Sequence, residues 1–131
     1  MSSEEARRIG HRHQLAFAQD AVALVARDIS MTTNTDPPPF EYRDEGGSIR
    51  LAFWGRFATT PISGLTQAAV AVEVADFMQG EVMEDVHGAW PLCRDHGVGL
   101  HPALSSERAA WTCRAGAHAV ADIGQLPAQL A

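Results

Sequence analysis

The stretch WPLCRDHGVGLHPALSSERAAWTCRAGAH, residues 90–118, holds both cysteines of the chain and three of its six histidines. Cys93 and His96 form a Cys-x-x-His turn, in which one tight loop aims a sulfur and an imidazole at a single point. Downstream, short apolar runs flank Ser105-Ser106-Glu107-Arg108, the pattern of a hairpin that goes out and returns with Cys113 beside the first loop. Tetrahedral zinc takes four soft or borderline donors of this kind. Cys93, His96 and Cys113 supply three. The fourth is His101, reached from the outgoing strand, or His118, on a second turn made permissive by Gly116, and spacing does not choose between them. A hairpin this small buries too little apolar surface to hold itself, whereas zinc binding contributes on the order of 10 kcal/mol to such folds. The expected cofactor is therefore structural zinc in a zinc-ribbon-like β-hairpin, with HAVADIGQL (residues 118–126) as a third strand.

Two plainer readings compete for the same residues: buried thiols beside merely hydrogen-bonded histidines, and a disulfide between Cys93 and Cys113. The N-terminal SSEEARRIGHRH places acids and bases before any apolar run, which predicts a cytoplasmic chain without a secretory signal. A reducing compartment favours thiolate ligands over a lasting disulfide.

The segment also resembles the ends of small uncharacterised actinobacterial proteins. The resemblance rests on Trp90, Pro91, Cys93, His96, His101, Pro102, Trp111, Cys113, Ile123, Gly124 and Leu126, and covers about the last third of the chain. Such relatives often carry proline directly after each cysteine, where this chain has Arg94 and Arg114. The resemblance implies the fold and the metal and contributes no reaction.

Upstream, Ser2 followed by Glu5 fits a capping box. Leu15, Ala18, Val22, Val25 and Ile29 then recur at steps of three and four, which predicts an amphipathic helix over about residues 4 to 29. Pro37, Pro38 and Pro39 make an extended connector. FEYR and SIRLAFWGRF alternate around Asp44-Glu45-Gly46-Gly47, a β-hairpin with glycines able to take positive φ. Val70, Val74, Phe77, Met78 and Val82 give the apolar face of a second helix, from Ser63 to about His87, with His87 capping its end. The expected fold is α+β: two amphipathic helices packed on a small antiparallel sheet, with the zinc-ribbon-like hairpin at the C-terminus. We read residues 1–131 as a single domain, with a helix–hairpin–helix core over 1–89 and the metal module over 90–131.

Composition bounds the function. A chain of 131 residues with 46% hydrophobic and 20% charged residues is an ordinary globule. Its net charge of −6 opposes attraction to phosphate backbones and anionic membranes, so neither nucleic acid nor membrane is an expected partner. Residues 60–89 carry five acids, Glu73, Asp76, Glu81, Glu84 and Asp85, and no base, which describes a solvated helix face or a docking surface for a basic partner. His11 and His13 point to different helix faces and read as surface histidines. No phosphate loop, dinucleotide fingerprint, nucleophile elbow or His-Glu-x-x-His helix occurs, and no residue is nominated as catalytic. The expectation is an accessory or protein-interaction domain whose partner is another protein or a second copy. The alternative is a small zinc hydrolase with an open coordination position and Asp95 or Glu107 as base.

Overall fold

A computed structural model describes residues 2–128, apart from the side chains of residues 6, 7 and 11; the His11 side chain therefore lies outside the description. In chain order the elements are α1 (Ser3–Thr32), β1 (Phe40–Glu45), β2 (Ser48–Phe53), β3 (Arg56–Phe57), α2 (Gln67–Val86), β4 (His101–Ser105), β5 (Arg108–Cys113) and β6 (His118–Asp122). Two antiparallel three-stranded sheets form, ordered β1-β2-β3 and β4-β5-β6, so the mixed α+β class is as expected. No helix among the described residues is long and apolar enough to cross a membrane.

Ser2 caps α1, its hydroxyl accepting from the Glu5 amide at 3.1 Å. The helix runs one turn further than its apolar pattern, to Thr32. Its buried stripe is also rotated: Gln14, Ala18, Ala21, Val25, Asp28 and Ile29 are buried, while Leu15 and Val22 lie at the margin of the core. An apolar count misses this because two of the stripe positions are polar.

Both polar residues act as clamps. Gln14 Nε2 donates to the carbonyl of Gly64 at 2.6 Å, where Gly10 and Leu65 bring helix and loop so close that a Cβ on Gly10 would lie 2.7 Å from Leu65 Cβ. Asp28, fully buried, accepts four hydrogen bonds. Oδ2 takes Trp111 Nε1 at 2.8 Å and the Gly124 amide at 2.7 Å; Oδ1 takes the Leu126 amide and Arg27 Nη1, each at 3.0 Å. A carboxylate can stay charged in a core only when its lone pairs are filled in this way.

The start of α2 is later than the apolar pattern suggests. Thr66 is the N-cap, accepting from the Ala69 amide at 3.1 Å, because the amides of Ser63 and Gly64 are engaged by the Glu73 carboxylate at 2.9 and 2.7 Å. At the other end His87 takes a left-handed conformation (φ 55°) and its amide closes on the Met83 carbonyl, so the capping expected of it is done by its backbone.

The first sheet turns on Gly46 and Gly47, both at positive φ, and presents Ile49, Leu51 and Phe53 to the core, where Phe53 meets Phe77 of α2 edge-on at 5.2 Å. The second sheet turns on Ser106 and Glu107, also at positive φ, and buries Ala110, Trp111 and Cys113. Trp111 packs edge-to-face on Trp90 at 5.4 Å, and Trp90 Nε1 donates to Thr32 Oγ1 at 2.9 Å. Both tryptophans belong to the buried core, which also includes Cys93 and Cys113.

Substituting Asp28 by Asn puts an amide group where two donors already converge. We expect a loss of about 3 kcal/mol of stability, through unsatisfied buried donors, read as a lowered denaturant midpoint. Unchanged stability would show that the four hydrogen bonds contribute nothing net.

Candidate metal centre

The first candidate pair, Cys93 and His96, lies on the loop between α2 and β4. Leu92 bridges Gly99 in an antiparallel pair, the Cys93 amide donates to the Val98 carbonyl at 2.8 Å, and the Gly97 amide returns to the Cys93 carbonyl at 2.8 Å. These bonds close a tight turn over residues 93–97, with Gly97 supplying its positive φ. Buried Gln79 of α2 holds the two ends of the loop, donating to the carbonyls of Trp90 at 2.9 Å and Leu100 at 2.6 Å. The turn is thereby fixed to a helix before any ion binds.

The second pair comes from sheet register. Cys113 ends β5, His118 begins β6, and the two are cross-strand partners. Thr112 pairs with His101 on the other side of β5. Successive side chains of a strand point to opposite faces, so Cys113 and His118 share one face while Thr112 and His101 share the other.

The loop meets the first of these faces. Cys93 Sγ lies 3.3 Å and Cys113 Sγ 3.4 Å from the same atom, His96 Nδ1. Ligand atoms of Cys93, His96 and His118 all lie within 4.8 Å of one another; Cys113 adjoins this trio through His96. The His96 and His118 rings are 5.7 Å apart, and both cysteines are buried free thiols.

A zinc with Zn–S about 2.3 Å and Zn–N about 2.0 Å at tetrahedral angles separates sulfur from nitrogen by about 3.5 Å. The observed sulfur–nitrogen distances are close to that edge. A hydrogen bond from one thiol to the same nitrogen is the other account: one imidazole nitrogen has a single lone pair or a single proton, so it serves one of the two sulfurs while the second stands in contact.

Gly116 makes room for the imidazoles. A Cβ there would lie 2.6 Å from both His118 Cε1 and His96 Cε1. Its contribution is space rather than the turn freedom expected of it, since the positive φ of this turn falls on Ala117.

His101 is engaged elsewhere. Its Nε2 lies 2.8 Å from Thr112 Oγ1 and accepts from Arg114 Nε at 3.3 Å. Burial, and then the Arg114 charge, lower its pKa from 6.5, which favours the neutral imidazole. Arg94, the other departure from the resembling proteins, donates to the Ala128 carbonyl at 3.0 Å.

A cavity of about 320 Å³ adjoins the site, its lining including Cys93, Arg94, Asp95, His118, Val120 and Leu126. Glu107 is not part of it, lying in the β4–β5 turn.

Of the five candidates, then, Cys93, His96 and His118 are gathered, Cys113 abuts them, and His101 faces the opposite side of the sheet. Gln79, the clamp on the loop, carries one signal in the sequence, a glutamine on a mostly apolar helix face.

A comparison with protein-family models found no match, and searches of curated proteins and of solved structures likewise found none. The chemistry of the site rests on its own residues.

Two outcomes follow from this geometry. Gly116→Val should drive the imidazoles apart and lower divalent-ion affinity at least tenfold, measured by competition with a chromogenic chelator. In an NMR titration His101 should protonate with a midpoint below 6.5. Because its folded pKa lies below the unfolded one, its contribution to stability is present above pH 6.5 and is lost as pH falls through the lowered value.

Proposed function

We propose that this chain binds one structural zinc ion through Cys93, His96, Cys113 and His118, and that the ion staples the residue 93–97 turn to the β5–β6 end of the second sheet in an accessory or protein-interaction domain. The observation that carries this reading is the pair of thiols on one imidazole nitrogen, with a second imidazole close by. Two thiolates and two imidazoles make a Cys2His2 donor set, which suits zinc in its closed, non-catalytic form. Such a thiolate site fits the reducing cytoplasm expected from the sequence. The ion joins segments that the chain separates by a whole hairpin, so its binding energy becomes folding energy for the C-terminal module.

A second reading draws support from the cavity beside Cys93 and His118. If Cys113 stays off the metal, the three remaining ligands leave a position for water, and Asp95 in the cavity lining supplies a base. The closed site is preferred because Cys113 already touches His96.

Elemental analysis should find one zinc per chain, and Cys93→Ser or Cys113→Ser should lower zinc content and thermal midpoint together. His118→Ala should lose the metal while His101→Ala keeps it. Full stability in the presence of a strong chelator, with no stoichiometric zinc uptake, would falsify the structural role. Zinc-dependent ester hydrolysis that Asp95→Asn abolishes without loss of metal would instead establish the open site.

A further inference from the structure

Strand β1 is exposed on both faces. From Glu41 to Glu45 every residue is exposed, and only Phe40 is partly buried. A strand that merely closed a sheet over a core would alternate, as its partner β2 does at Ile49 and Leu51. Tyr42 is on the same face as Leu51, its cross-strand partner, yet it is 45% exposed: the core-facing side of the sheet overhangs the core at this edge.

The free edge has a definite hydrogen-bonding phase. Glu45 and Ser48 close the two-residue Gly46-Gly47 turn, and such a turn closes on a hydrogen-bonded pair. The amides and carbonyls of Glu45, Arg43 and Glu41 therefore point to β2, and those of Phe40, Tyr42 and Asp44 point away from it. Among the described residues none of these three forms a backbone hydrogen bond outside the sheet.

Charge follows the same geometry. Arg43 stands opposite Arg50 in the sheet and has its guanidinium over the Phe57 ring at 4.2 Å; neither Arg43 nor Glu41 has an oppositely charged partner among the described residues.

We propose that β1 is a docking edge for a second copy of this chain, the two strands pairing antiparallel about a two-fold axis at Tyr42. This register is the only one that uses all three outward residues: Phe40 pairs with Asp44 of the other copy, Tyr42 with its own counterpart, and Asp44 with Phe40. On the opposite face it sets Glu41 against Arg43 of the other copy, twice by symmetry, at the closer, non-hydrogen-bonded positions. Shifting the axis to Glu41 or to Arg43 leaves one outward residue unpaired and brings like charges together. The contact is small beside a stable interface of about 1,200–2,000 Å², so the association is weak and concentration-dependent. It stands apart from the metal site, and its test is independent of zinc.

Sedimentation velocity of the full chain over a concentration series should show the weight-average mass rising from 14.1 kDa toward twice that value. Glu41→Arg or Arg43→Glu alone should weaken association roughly tenfold, since each turns two attractive pairs into repulsive ones. The double swap should restore it, although the contact with Phe57 is then lost. In hydrogen exchange the amides of Phe40, Tyr42 and Asp44 should gain protection as concentration rises. A chain that stays monomeric throughout overturns the proposal, as does association that Arg43→Glu leaves intact, or a dimer in which those three amides still exchange freely.

Discussion

The buried carboxylate of Asp28 is the constraint on which the arrangement depends. It lies on α1, and three of its four donors come from the C-terminal third: the Trp111 indole and the amides of Gly124 and Leu126. Burying an ion costs several kcal/mol unless charge-assisted hydrogen bonds offset it. The chain is therefore held to one docking of α1 against β5 and the segment after β6. Any other placement strands the charge.

The candidate metal centre inherits that placement. Trp111, fixed through its indole, is two residues from Cys113 on the same strand, so anchoring one fixes the direction of the other. The loop carrying Cys93 and His96 is positioned separately, by Gln79 of α2. Two polar clamps on two helices thus bring together donors that lie far apart in sequence. Preorganisation of this kind is what lets a site of exposed imidazoles and buried thiols form around one point.

Much of this was legible in the residues. The Cys-x-x-His turn, the hairpin about Ser106 and Glu107, its third strand and the glycine turn of the first sheet are all local features, set by turn chemistry and period-two patterning. The choice between His101 and His118 was not legible, because it depends on register. Pairing Ser105 with Arg108 sends His101 to the Thr112 face, and a shift of one residue would have reversed the outcome. The rotated stripe of α1 escaped for a related reason: Gln14 and Asp28 are polar by composition, and only their partners make them core residues.

Local chemistry thus determined the α+β class, the element order and the set of donors, since caps, turns and apolar periodicity act over a few residues. Which donors meet, which polar side chains are buried and which strand edge is left open were decided by the tertiary structure. Those outcomes depend on hydrogen-bond partners tens of residues away, and no local pattern encodes the direction from which such a partner arrives.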